Sequence, residues 1–301
     1  MSARTLTMFA WCAAVAAASI VLSASPQRGA AAPALQTPGG GGAPQAPARG
    51  GGFRQPDAID FNEHDGWTSL FDGRTLSGWS GDSNWKVEDG AIVIESTCER
   101  PTGTIYLVWQ GGEAADFELK MEMKGTGNIN SGIQYRSWIA PPVRRAGGPG
   151  PARGGPQGPC PSGAARGTPP DPMTEAKWNM AGAQYDFDAG NRYTGQFYEQ
   201  DTGRGIIAWK GQVVRTEAGK SPRLVATLGE PAAIDSIYKP NDWNQLHVIA
   251  VGNVMTHLLN GRALSILADE DATKFHKSGL IGIEVESTGK LFARNIWLKK
   301  L

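Results

Sequence analysis

Three runs in this chain place long hydrogen-bonding side chains at every second position: Glu118, Lys120, Glu122 and Lys124; Gln134 and Arg136; and Gln184, Asp186 and Asp188. Successive side chains on a strand point to opposite faces, so each set shares one face, while Leu119, Met121, Met123, Ile133, Tyr135, Tyr185 and Phe187 take the other. Amides, a guanidinium and carboxylates gathered on one face form the mixture that binds sugar hydroxyls. An antiparallel sheet with one solvated face has the same alternation and no function, so alternation alone leaves both readings open. His257, in a strand between Thr256 and Leu258, adds a group that would titrate near neutrality in a groove. A histidine hydrogen-bonded to a neighbouring strand is its plainer reading. His247 is the weaker candidate, because Gln245 and Ile249 define no polar face with it. Trp109, Trp138, Trp178 and Trp209 lie near strand ends or loops, where a ring could stack on a sugar, although Trp is more often core.

The elements that must hold these groups are short strands. From Trp67 onward, apolar and polar residues alternate in brief runs broken by Gly, Asn and Asp, with no long helical period. The clearest unit is Asn244 to Val251, a Gly252-Asn253 turn, Val254 to Leu259, an Asn260-Gly261 turn, and Arg262 to Leu267. Asn-Gly favours a tight hairpin, since both residues accept positive φ. Some fourteen such strands predict an all-β fold, a two-sheet antiparallel β-sandwich in preference to a barrel.

The chain has 301 residues, and its first sixty do not read as fold. Residues 1–32 read as a signal peptide: Arg4 precedes an apolar Leu6 to Leu22 run followed by small residues. A membrane anchor is the competing reading of that run, which is barely long enough to span. Residues 33–59, rich in Pro, Gly and Ala, read as a linker without the apolar side chains to bury. Residues 60–301 then suit one large domain, interrupted at about 140–171 by a Pro/Gly/Arg-rich insertion. Its composition reads as a disordered surface excursion, the alternative being that Arg144, Arg145, Arg153 and Arg166 reach over a site. The expected product is periplasmic or secreted, with no stable membrane insertion after cleavage. Twenty-nine basic and 29 acidic residues cancel, leaving no basic field for nucleic acid. Cys98 and Cys160 remain after cleavage, and export permits them to pair without requiring it.

Several segments together resemble one family: GWTSLFDGRTLSGW (Gly66 to Trp79), WKVEDGAIV (Trp85 to Val93), DFELKMEMKGTGNINSGIQYRS (Asp116 to Ser137), GAQYDFD (Gly182 to Asp188), YTGQFYEQDTGRG (Tyr193 to Gly205), DWNQLHVIAVGNVMTHLLNG (Asp242 to Gly261) and GLIGIEVESTGKLFARNIWLKKL (Gly279 to Leu301). In order and spacing they are similar to the 3-keto-disaccharide hydrolase domain. The 140–171 insertion and Ala183, where an aromatic residue is expected, depart from that pattern. The resemblance implies a concanavalin-like jelly roll with a concave face, acting on glycosides with a ketone at carbon 3.

An ordinary glycosidase sets two carboxyl groups across the scissile bond. A 3-keto sugar offers another route: the ketone acidifies the hydrogen on carbon 2, a base removes it, the enediolate expels the group at carbon 1, and water adds. This needs a base that titrates near the working pH and a partner for the developing oxyanion. On this reading His257 or Asp186 is the base, Arg136 the oxyanion partner, and Glu122, Gln134, Gln184 and Tyr198 contact substrate or supply acid. Glu199 is in reserve, since it faces away from Tyr198 in a regular strand and needs a bulge to join the site. A divalent metal would serve the oxyanion, but no spacing matches a recognised metal signature, and no cofactor is predicted. The competing readings are a non-catalytic carbohydrate-binding module and a cell-envelope interaction domain.

Overall fold

The computed structural model describes residues 56–81, 84–141 and 176–301. The expected signal peptide, most of the expected linker, the insertion arginines and Cys160 lie outside the described residues; Cys98 is disulfide-bonded. The folded unit runs from Asp57 to Leu301.

In chain order the strands are β1 (Thr68–Ser69), β2 (Trp79–Gly81), β3 (Lys86–Glu88), β4 (Ala91–Ser96), β5 (Ile105–Trp109), β6 (Phe117–Gly127), β7 (Asn130–Ile139), β8 (Met180–Asp188) and β9 (Phe197–Gln200). They continue with β10 (Gly205–Ala208), β11 (Gln212–Glu217), β12 (Arg223–Thr227), β13 (Asn244–Val251), β14 (Val254–Leu259), β15 (Arg262–Glu270), β16 (Leu280–Glu286) and β17 (Gly289–Lys300). A single short α-helix, α1 (Pro231–Asp235), interrupts them among the described residues. One sheet has the order β12-β11-β15-β14-β13-β6-β17-β4-β3 with β1 on β17; the other is β10-β9-β8-β7-β16-β5-β2. The fold is a two-sheet β-sandwich of the jelly-roll kind. It departs from full antiparallel pairing at one place, where β11 runs parallel to β15.

Alternation explains the packing. Phe117, Leu119, Met121 and Met123 of β6 face Ile133 and Tyr135 of β7, Tyr185 and Phe187 of β8, and Ile281, Ile283 and Val285 of β16 in one core, all essentially without solvent contact. The expected three-strand unit forms as β13, β14 and β15, with Asn260 and Gly261 at φ 48° and 77° in the second turn, the double positive φ that Asn-Gly tolerates. No helix among the described residues is long and apolar enough to cross a membrane.

Candidate active site

The outer face of the seven-stranded sheet carries three polar rows. Tyr198, Gln184, Gln134 and Gly282 lie side by side across β9, β8, β7 and β16. Asp186, Gly132, Glu284 and Tyr106 form the next row, and Asp188, Asn130 and Glu286 the third. Adjacent strands lie about 4.8 Å apart, so the Cα atoms of Asp186 and Glu284, two strands apart, are separated by roughly 10 Å. Gly132 stands between them and contributes no side chain. A Cβ there would run into the Gln184 side chain, which crosses this space to donate to Glu284. The result is a shallow hollow open to solvent, with Gln184, Asp186, Gln196, Glu284, Glu286 and Asn130 inside it and Tyr193, Tyr198, Gln200 and Ile206 completing its wall.

Each carboxyl in the hollow is held. Gln196 donates to Asp186. Tyr106 donates to Glu284 Oε1 at 3.3 Å, and Thr104 and Asn130 donate to the two oxygens of Glu286, each at 3.1 Å. Backbone N–H groups of Arg192, Tyr193 and Thr194 close on the Asp188 carboxylate and shape the turn that brings Gln196 in. Burial pushes Asp186 well above the usual carboxylate range, against the Gln196 bond and helped by Glu286 and Asp188. Burial, with Glu286 and Asp186 nearby, does the same to Glu284. Burial lifts Glu286 to about 7, the Thr104 bond opposing and Asp201 adding to the rise. Desolvation and like charge therefore act in one direction here. A carboxyl poised near neutrality beside two that burial pushes toward the protonated form is suited to proton transfer. Of the buried polar atoms without a partner among the described residues, Gln134 Nε2, Gln196 Oε1 and Asn130 Oδ1 belong to the hollow's lining and the row beside it.

A family model described as the 3-keto-alpha-glucoside-1,2-lyase-like domain matches residues 66–299. The chain belongs to that family. A 3-keto-disaccharide hydrolase of Bacteroides thetaiotaomicron is 34% identical over 91 residues, covering 24% of this chain and 27% of the relative, so the match spans about a quarter of that protein's length. Among solved structures, a Bacillus subtilis protein of unknown function with a galectin-like fold superposes with a TM-score of 0.45 at 9% identity, over 75% of this chain and 90% of that one. Carbohydrate-binding module CBM66 of Bacillus subtilis superposes with a TM-score of 0.42 at 14% identity, over 74% of this chain and 96% of that one.

Of the residues singled out from the sequence, the hollow unites Asp186, Gln184 and Tyr198, with Gln134 beside Gln184 in the same row. Four lie elsewhere. His257 faces inward from β14, fully buried, with Tyr185 stacked on it at 4.4 Å between ring centres and Phe197 at 5.4 Å. The Tyr135 hydroxyl donates to its Nε2 at 2.6 Å, and burial lowers its pKa to about 3, so the neutral ring is a core group. Arg136, expected beside Gln134, is turned away by a bulge: its φ is 47° and the β7–β8 register shifts between Tyr135 and Trp138. Its guanidinium is spent on the Ala115 and Gly252 carbonyls and on Asp116. Glu199 faces the opposite side from Tyr198 and pairs with Arg204 at 2.8 Å. Glu122 lies on the outer face of the other sheet, accepting from Arg294 and Asn295.

Glu284, Glu286, Gln196 and Asn130 were not singled out from the sequence. The signal for the first two is in GIEVE, where Ile281, Ile283 and Val285 alternate with Gly282, Glu284 and Glu286 as in the other site strands. Gln196 sits in a turn, where no alternation points to it. Among the described residues no group of three or more His, Cys, Asp and Glu side chains is arranged to hold a metal ion.

Proposed function

We propose that this chain is an exported, periplasmic or secreted enzyme that cleaves the glycosidic bond of 3-keto-glycosides in the hollow on the seven-stranded sheet. Family membership supports a carbohydrate substrate, and one observation carries the chemistry: Glu286, at about 7, shares the hollow with Asp186 and Glu284, which burial pushes toward the protonated form. In this mechanism ionised Glu286 takes the proton from carbon 2. A protonated neighbour, Asp186 or Glu284, donates a hydrogen bond to the oxygen at carbon 3 as charge gathers there. The enediolate expels the group at carbon 1, which leaves with a proton, and water adding across the resulting double bond completes net hydrolysis. Gln184, Gln134 and Tyr198 orient the ring. His257 and Arg136 take no part, since neither reaches the hollow.

The test is isotopic. A 3-keto-glucoside carrying deuterium at carbon 2 should lose it to water during turnover, and cleavage should slow relative to the protio substrate. Product that keeps its deuterium would reject elimination. Binding of glycosides without any turnover of keto-sugars would favour a carbohydrate-binding module.

A further inference from the structure

The hollow is one-sided in charge, and the unpartnered atoms on its lining residues are one-sided in hydrogen bonding, while Gln134 Nε2, an unpartnered donor, stands beside Gln184 outside the lining. Asp186, Glu284 and Glu286 line it, and Asp188 and Asp201 stand near enough to act on them. No Lys, Arg or His among the described residues lines it. Arg192, stacked on the Tyr193 ring, is exposed and lies outside the lining. The two unpartnered atoms on the lining residues, Gln196 Oε1 and Asn130 Oδ1, are both acceptors, and Gln196 is 2% exposed.

An acceptor left without a donor in a buried place costs free energy until a ligand supplies one. A carboxylate or phosphate has no donor to offer, and it would be desolvated beside the Glu286 carboxyl with no cation to meet it. A hydroxyl supplies one donor. An ammonium supplies three, with a positive charge facing several carboxyl groups.

The geometry points to charge selection: the hollow takes amino sugars, protonated at nitrogen, in preference to neutral sugars, and rejects uronic, sulfated or phosphorylated ones. This rests on the hollow being the sugar site proposed above, but it concerns binding and not the bond broken. It has a second signature. A bound cation favours the ionised form of its carboxyl neighbours, so the amino sugar expels a proton from the hollow as it enters.

The experiment is calorimetric titration of the full chain at pH 6, where the amine is fully protonated and Glu286 still holds most of its proton, with the methyl glycosides of glucosamine, glucose and glucuronic acid, each in two buffers of different ionisation enthalpy. Glucosamine should bind at least about tenfold more tightly than glucuronate, with glucose between them, and its heat alone should change with buffer in the sense of proton release. Glu286→Gln should narrow the spread and reduce the proton release. Glucuronate bound as tightly as glucosamine, an amine that enters without releasing protons, or no binding of any of the three overturns the inference. None of the probes carries a ketone, so the outcome is separate from that of the deuterium test: an intact charge order with no keto-sugar turnover would remove the elimination mechanism and leave charge selection standing.

Discussion

The two outer faces of the sandwich are built from the same alternation and treat charge in opposite ways. On the ten-stranded sheet, Glu118 meets His247 at 2.8 Å, Glu122 meets Arg294 at 2.8 Å, Glu88 meets Lys290 at 2.9 Å, and Lys120 gives its protons to the carbonyls of residues 60, 61 and 63. Aromatic rings also cover cations on this sheet: Arg294 lies 3.9 Å from the Trp243 ring centre and Lys124 4.5 Å from that of Phe292. On the seven-stranded sheet, carboxyls are crowded together, buried and held by amides and hydroxyls. One face neutralises its charges locally, as a structural surface does. The other retains a cluster of buried carboxyls with no cation among its lining, and such an arrangement is a functional-site signal because perturbed titration concentrates where chemistry is done.

The comparison can be broken most forcefully at Glu286. Glu286→Gln should lower kcat for a 3-keto-glucoside by roughly 10²- to 10⁴-fold, the usual yield of a positioned acid or base, with circular dichroism unchanged. Its folded pKa of about 7 lies above the ordinary 4.5, so the native state holds the extra proton. The stability that this proton contributes is present below about 4.5 and is lost as pH rises through 7. Denaturation curves should therefore show the Gln variant gaining on the native protein toward pH 8. A variant that stays active, or one that loses ground at alkaline pH, would erase the distinction between the faces.

His257 gives the next largest effect, from the core between them. Its pKa falls from 6.5 to about 3 on folding, so the unfolded chain binds more protons across that window and stability drains away as pH falls below 6.5. The slope approaches about 1.4 kcal/mol per pH unit. His257→Leu should flatten this acid limb while costing about 1–3 kcal/mol at pH 7, because it strands the Tyr135 hydroxyl. An unchanged acid limb in urea titrations would show that another group governs it. The smallest effect belongs to the paired face: Arg294→Ala should change stability by no more than about 1 kcal/mol and leave kcat alone. A loss of turnover there would mean that the ten-stranded sheet also serves catalysis.

Much of the fold was legible because strand period and turn chemistry agree. The β13–β14–β15 unit could be drawn from its Gly252-Asn253 and Asn260-Gly261 turns, with its first two strands at their observed bounds. The polar rows of β6, β7 and β8 were legible too, but not which sheet each belonged to, since pairing is set by contacts distant in sequence. Hence Glu122 was grouped with Gln184 although they lie on opposite outer faces of the sandwich. His257 carried its own warning: Met255, His257 and Leu259 share a face, and that face is core. Arg136 carried none, because a residue at positive φ inside a strand has no reliable mark when it is not Gly, Asn or Asp.

That left-handed residue has one more result. Before Arg136, the even-numbered Asn130, Gly132 and Gln134 of β7 share the outer face; after it, the odd-numbered Ser137 reaches that side, its hydroxyl donating to the Gln134 amide oxygen at 3.1 Å. The extra residue thus re-indexes the strand midway, setting the serine beside Gln134 and turning the arginine toward the Ala115 and Gly252 carbonyls. Removal of one position between 135 and 138 would exchange interior for exterior through the rest of the strand. In this stretch the spacing is a heritable trait in its own right.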